Sequence, residues 1–385
     1  MYEKRDQAKN NQRLIFLKRG DEMENEERYQ MRTDLAVEAR EMYVEEKREI
    51  EDIEGVNLTE YKIKGFQVTD VRVDQAGEKK INKKSGRYIT LETKAVKNSD
   101  SQQQQETAEV LSELLADLIK ENQIKKSATC LIVGLGNDYV TPDALGPKTV
   151  DKILVTKHLF TYHPEMVTDG YRSVAAFSPG VMGVTGMETS DIIRGLVKEV
   201  NPDFIIAVDA LASRAIERVN TTIQLSDTGI HPGSGVNNKR KALSYETFGV
   251  PVLSVGVPTV VDAVTITSDT IDYVFKHFGR EIKEKGQPSK SLVPASLSFG
   301  GKKLTEADMP EQEQKTKIFG MIGTLTETDK RQLIKEVLNP LGHNLMVTPK
   351  EVDSYIHDLA HLLANGINGA LHDGVDSSLA NAYTR

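Results

Sequence analysis

The chain has 385 residues, with 49 Lys and Arg against 57 Asp and Glu, and a pI near 5.6. The formal net charge of −8 argues against a surface built for nucleic-acid phosphates. One cysteine, Cys130, excludes a disulfide scaffold and a cysteine-based zinc cluster, and points to a reducing, cytoplasmic compartment. No run of about 18 apolar residues could span a membrane and the N-terminus lacks the apolar core of a signal peptide, so a soluble intracellular protein is expected.

Residues 1 to 30 are strongly polar apart from a short apolar patch at Leu14 to Leu17. Residues 35–53 have a charged helical pattern. Residues 61–74 alternate (Ile63, Phe66, Val68, Val71, Val73), and with a turn at Ala76-Gly77-Glu78 and a resumption at 88–91 they read as a hairpin. A polar loop over 99–105 leads into an amphipathic helix whose stripe is Val110, Leu111, Leu114, Leu115, Leu118 and Ile119.

From Ala128 onward strands and helices alternate, which predicts a mostly parallel sheet with helices on both faces, a three-layer α/β/α architecture. The strands are expected at 129–134, 172–177, 204–209 and 251–256, and helices near 144–157, 188–200, 210–217 and 260–278, with right-handed crossovers. An inserted strand at 219–225 precedes a glycine-rich loop. Residues 280–325 read as an excursion from the sheet, and a helix over 349–371 closes the chain.

The most informative stretch is Cys130-Leu-Ile-Val-Gly-Leu-Gly-Asn137 followed by Asp143. An apolar run ending in Gly-x-Gly reads as a strand buried on both faces, with a carboxylate in the loop that leaves it, where open α/β sheets place their chemistry. A dinucleotide site needs a third glycine where this chain has Tyr139, and the phosphate-loop Gly-Lys-Ser/Thr is absent. Asp209 ends the run Phe204-Ile-Ile-Ala-Val, so parallel strands would bring Asp143 and Asp209 to one sheet edge. Two close carboxylates share a proton, giving an acid and a base for amide hydrolysis; helix capping by either residue is the plain alternative, and spacing leaves both open.

Other segments carry weaker signals. Asp227-Thr228-Gly229 reads as a turn with its glycine at positive φ rather than as half of a pepsin-like site. The loop from His231 through Gly233 to Lys239, Arg240 and Lys241 would suit a substrate carboxylate, or is simply a solvated surface loop. His231 with Asp143 and Asp209 could also make a metal set. His357 and His361 share helical spacing, but residue 358 is Asp rather than the metalloprotease glutamate, so both read as surface or interface histidines. Glycines of the 178–186 loop, Gly180 and Gly183 among them, would leave a backbone cradle for an extended peptide, or form an ordinary strand-to-helix connection.

The long motifs Gly134-Leu-Gly-Asn-x-x-Val-Thr-Pro-Asp-Ala-Leu-Gly-Pro147, Pro179-Gly-Val-Met-Gly-Val-Thr-Gly186, Val208-Asp-Ala-Leu-Ala212, Asp227-Thr-Gly-Ile-His-Pro-Gly-Ser-Gly235 and Gly256-Val-Pro-Thr-Val-Val-Asp262 resemble the spore germination proteases. The resemblance implies an endopeptidase that degrades small acid-soluble spore proteins in the spore core, made as a self-processing zymogen and assembled as a homotetramer. It carries the family's proposed catalytic aspartates onto Asp143 and Asp209, and implies no cofactor. Thr33-Asp34-Leu35-Ala36-Val37-Glu38 is similar to the family's substrate site, so processing is expected between Asp34 and Leu35. Residues 1–34 would then be a pro-segment, longer than is usual in the family, and Asp34 stands where spore-protein sites usually have Glu. Residues 35–385 would form a single protease domain, with a core over about 128–280, a helix and hairpin region over 35–127 and a C-terminal extension over 281–385. A more distant likeness to hydrogenase-maturation endopeptidases implies the same α/β fold, related to the phosphorylase-like folds, and keeps a metal-dependent alternative open. A non-catalytic binder of spore proteins acting through Lys239 to Lys241 is the reading from another class.

Overall fold

The computed structural model describes residues 33–47, 52–230, 241–283, 304–338 and 345–373. In chain order these form α1 (Ala36–Lys47), β1 (Val56–Ile63), β2 (Phe66–Val73), α2 (Gln75–Ile81), β3 (Gly86–Glu92), α3 (Ser101–Glu121) and β4 (Cys130–Gly134). There follow α4 (Leu145–Val150), α5 (Lys157–Tyr162), β5 (Val174–Phe177), α6 (Met182–Thr185), α7 (Thr189–Val200), β6 (Phe204–Ser213), β7 (Thr222–Ser226), α8 (Tyr245–Phe248) and β8 (Val252–Asp262). The remaining elements are α9 (Ala263–Lys283), α10 (Gln312–Phe319), α11 (Glu327–Leu338), β9 (Met346–Val347) and α12 (Val352–Leu371).

One sheet runs in the order β1-β2-β3-β7-β8-β6-β4-β5, with β9 paired to β8. Its β8, β6, β4 and β5 strands are parallel, as the alternation of strands and helices from Ala128 predicts. The expected hairpin region is no appendage: β3 pairs antiparallel with β7, and β7 with β8, so one mixed sheet runs through both parts. Alternation divides the core. Ile132, Ile206 and Val208 face a cluster with Leu111, Leu115, Leu118, Leu363 and Ile367 from α3 and α12. Leu131, Val133, Ile205 and Ala207 face the opposite side with Ile193 of α7 and Leu35. β4 is buried on both faces, as its unbroken apolar run requires.

Five local expectations are corrected. The run 61–74 is two strands, not one, because Lys64 and Gly65 at φ of 48° and 89° make a tight turn between β1 and β2. The supposed turn at 76–78 lies in α2, whose start is set by the Asp74 side chain accepting the N–H groups of Ala76 and Gly77. Asp100 likewise accepts the Gln103 N–H and starts α3 at Ser101, inside the supposed polar loop. The expected helix over 144–157 is two short ones, and residues 210–213 are strand rather than helix. There β8 pairs with them as far as Ser213↔Val261, with one register shift between Leu211 and Ala212, and ladder bonds override the helix propensity of Ala210, Leu211 and Ala212.

Packing divides the chain into two compact units, one within Arg32–Asp262 and Met346–Arg385, the other built on Ala263–Leu345. In the second, Lys330 of α11 reaches Asp272 of α9 at 2.6 Å, Arg280 pairs with Asp308 at 2.7 Å, and Phe275 packs on Phe319 with ring centroids 4.4 Å apart.

In the first unit, His372 at the end of α12 is fully buried. Its Nδ1 accepts the Arg172 N–H at 3.1 Å, while the Arg172 guanidinium donates to the carbonyls of Lys125 and Ala128 and lies over the Phe204 ring. Burial, aided by the Arg172 charge and opposed by the Leu154 carbonyl, holds the imidazole down to about 4. A base whose folded pKa is depressed contributes its stability in full above the unfolded value of 6.5, and loses it as pH falls through 6.5 toward 4. His372→Gln should therefore narrow the difference between urea midpoints at pH 7 and pH 5, relative to the unsubstituted chain. An unchanged difference would show that another group carries that acid sensitivity.

Candidate active site

Asp143 and Asp209 are set by two adjacent parallel strands. β4 pairs with β6 in the register Gly134↔Val208, and the next N–H, that of Leu135, donates to the Val208 carbonyl at 2.8 Å. Gly136 then turns at a φ of +116°. The Asn137 N–H donates back to the Asp143 carboxylate at 2.8 Å and to its carbonyl at 3.1 Å. Asp143 ends a 3-10 turn over Thr141–Asp143, and that turn is tied to β8 by the Thr259 hydroxyl donating to the Pro142 carbonyl at 2.7 Å. The Asp143 turn and Val208, the residue before Asp209, are thereby tied to the same three-residue segment, Leu135 to Asn137.

Three glycines permit this. A Cβ on Gly136 would lie 1.9 Å from the Asp143 carbonyl oxygen, one on Gly146 would lie 2.2 Å from that of Leu135, and one on Gly134 would lie 2.3 Å from that of Gly146. The capping alternative does not hold for either aspartate. The N-cap of α4 is Ala144, with no side-chain cap, and Asp209 lies within β6 rather than at its end.

Asp209 is 6% exposed, its Oδ1 accepts the Ala210 N–H at 2.9 Å, and alternation puts it on the face shared by Ala207 and Leu211. It is in register with Gly256 of β8, which in turn is in register with Gln224 of β7. Directly opposed residues share a face, so Gln224 and Asp209 flank a position without a side chain.

The expected processing junction lies on the continuation of β6. The Asp34 N–H donates to the Ala212 carbonyl at 3.0 Å, and the Ala212 N–H donates to the Asp34 carboxylate at 2.8 Å. Gln224 straddles the Asp34–Leu35 peptide, donating from Nε2 to the Asp34 carbonyl at 3.2 Å and accepting the Ala36 N–H at 2.8 Å. Lys83 donates to the Thr33 carbonyl at 2.8 Å, and burial pushes its ammonium pKa down against the pull of Asp34 and Glu38. Leu35 is fully buried among Leu131, Val133 and Leu135. Sequence reasoning missed Gln224 and Lys83. The one signal for Gln224 was a polar residue between Ile223 and Leu225, which alternation turns toward the opposite face.

Gly180 has a φ of +69° and Gly183 has no heavy atom within 4 Å of where a Cβ would stand. Around them Phe177 at the end of β5 and Met182, Val184 and Met187 on the connection after it are exposed apolar side chains. His231, Gly233, Lys239 and Arg240 lie outside the described residues. Lys241 is described and pairs with Asp191 of α7 at 3.1 Å. Asp227 accepts the Arg87 N–H at 2.8 Å in a turn with Gly229 at φ +76°, as its turn reading predicts. His357 is exposed and its ring lies 4.7 Å from that of His361. Among the described residues no three His, Cys, Asp or Glu side chains converge as a metal set would.

The germination protease family profile matches residues 36–384. The chain belongs to the germination protease family. It is 59% identical to the germination protease of Oceanobacillus iheyensis over 360 residues, covering 93% of this chain and 98% of the relative. The germination protease of Priestia megaterium is 57% identical, with 92% and 97% covered, and that of a Bacillus cereus strain is 55% identical, with 93% and 98% covered. Membership in a peptidase family makes peptide-bond hydrolysis the chemistry to be explained, and no described helix is long and apolar enough to cross a membrane.

Gly136→Ala should displace the Asp143 turn, since the residue must keep a positive φ and its methyl group would overlap the Asp143 carbonyl. The backbone term alone should cost about 1–3 kcal/mol of stability. Peptidase activity should fall further than the shift in denaturation midpoint accounts for; a variant as active and as stable as the parent would contradict the geometry.

Proposed function

We propose that this germination protease is a metal-independent endopeptidase that opens the degradation of small acid-soluble spore proteins during germination, with Asp143 and Asp209 activating the water. The observation that supports this is that the single segment Leu135 to Asn137 binds the Asp143 carboxylate through the Asn137 N–H and, through the Leu135 N–H, the carbonyl of Val208, the residue before Asp209, although the two aspartates are 66 residues apart in the chain (209 less 143). One carboxylate, ionised, takes a proton from water; the other, protonated, hydrogen-bonds the scissile carbonyl and then delivers its proton to the leaving nitrogen. The oxygen of the water bonds the carbonyl carbon as the C–N bond breaks, and the two acids exchange roles for the next turnover. The exposed apolar side chains around Gly180 and Gly183 suit the bulky apolar residue expected in the substrate.

The chain is made as a zymogen in this reading, with residues 1–34 removed by its own cut between Asp34 and Leu35. A homotetramer in the cytoplasm of the spore core, and a fold related to the hydrogenase-maturation endopeptidases, belong to the same proposal.

Asp143→Asn and Asp209→Asn should each lower both self-cleavage and spore-protein cleavage by about 10³-fold or more while leaving the thermal midpoint near that of the parent. Full activity in both single variants sinks the aspartate pair. Loss of activity with a chelator, restored by a divalent cation, would instead favour a metal enzyme using His231. Binding of a spore protein without new peptide termini would leave a non-catalytic binder. N-terminal sequencing after mild acidification reads the cut: a new terminus at Leu35 is expected, and one elsewhere rejects the processing site.

A further inference from the structure

We infer that Glu38 receives the amino terminus created by cutting before Leu35, and that this ion pair anchors the segment following the strand that carries Asp209. The inference rests on the processing reading above and gives that cut a structural consequence.

Leu35 immediately precedes α1, which starts at Ala36, so it occupies the helix N-cap and Glu38 the third helical position. From there a glutamate side chain reaches back toward the N-cap N–H, the geometry of a capping box. In the uncut chain the Thr33 hydroxyl stands between them: it accepts the Leu35 N–H at 3.0 Å and donates to Oε2 of Glu38. Glu38 is 1% exposed. Its Oε2 also accepts the Arg214 N–H at 2.7 Å, its Oε1 accepts the Ala215 N–H at 2.9 Å, and Arg218 approaches at 3.3 Å. Arg214 and Ala215 come directly after β6, five and six residues beyond Asp209 (214 and 215 less 209).

Hydrolysis adds the hydroxyl of water to the Asp34 carbonyl carbon, breaks the C–N bond and protonates the Leu35 nitrogen. The products ionise to a carboxylate on Asp34 and an ammonium on Leu35. Thr33 departs with the released segment, so its place beside Glu38 falls vacant as a positive charge appears one hydroxyl's width away. The nitrogen of a fully buried residue must then find a counter-charge or leave the core. Two features oppose the pair: the positive end of α1 and the nearby Lys83, which loses the Thr33 carbonyl in the same step. Arg218 is already shared with Glu41 at 2.7 Å, which leaves Glu38 carboxylate capacity for the ammonium. Cutting thus exchanges a neutral hydroxyl bridge for an ion pair on a residue that grips the chain beyond Asp209, and Glu38 acts as a positioning residue.

The test is made on full-length protein that has processed itself, with the cut verified by N-terminal sequencing. The Leu35 amine is then labelled with cyanate across a pH series, beside a Leu-Ala-Val-Glu peptide. An apparent pKa above the ordinary α-amino value of about 7.7–8.0 is expected, with labelling at pH 7 about tenfold slower than in the peptide. Glu38→Gln should restore fast labelling and lower kcat for peptide hydrolysis, and Glu38→Asp should keep much of the protection. Labelling of the processed parent at the peptide's rate overturns the inference by itself, whether or not Glu38→Gln folds. Equal labelling of Glu38→Gln and the parent overturns it as well. Absence of any cut before Leu35 defeats the processing reading and takes this inference with it.

Discussion

The parallel register of β4 on β6 is the constraint on which the site depends. Once Gly134 stands opposite Val208, the Leu135 N–H has one partner and the loop that follows has one direction of exit. That loop can fold back to hold the Asp143 carboxylate only because Gly134, Gly136 and Gly146 let backbone pass against backbone. Each contact is a single hydrogen bond or a missing methyl group, and none would hold the turn in isolation. Their effect is joint: a buried strand with no slack transmits its register to a side chain nine residues beyond Gly134.

The expected cleavage junction is held with similar economy. Asp34 makes two bonds to the continuation of β6, Gln224 spans the peptide that follows, and Glu38 closes the arrangement on the far side. Such a peptide is presented and protected at once. Leu35 is fully buried, so a segment with a favourable sequence is kept from general proteolysis by the core it fills. The same burial gives a cut there structural consequences, because a charge would appear where water is scarce.

The parallel strands were legible in the chain because burial on both faces demands an unbroken apolar run, and residues 130–134 and 204–208 show one. The stripe of α3 was legible for the same reason, in helical period. Where expectation failed, the deciding partner was distant or small. Residues 210–213 have helix-favouring side chains and became strand because β8 lies alongside them. The Lys64-Gly65 turn carries a weak signal, and the helix at 75–81 starts from a cap at Asp74 that reads equally as a turn. Hydrogen bonds that join Asp34 to Ala212, or Ala36 to Gln224, leave no mark on either segment taken separately.

By itself the sequence determined the elements whose periodicity answers to burial, the aspartate that ends one apolar strand run and the one in the loop that leaves another, and the family motifs around them. Local chemistry suffices for these, since a side chain's preference for water or oil and a glycine's freedom act over a few residues. Tertiary structure alone decided that the hairpin joins the main sheet, that β6 runs on past Asp209, and that residues 33–38 dock on that extension. The reason is that ladder bonds and buried carboxylates take their partners from wherever the fold brings them, as the Asp34 carboxylate takes the N–H of Ala212, 178 positions along the chain.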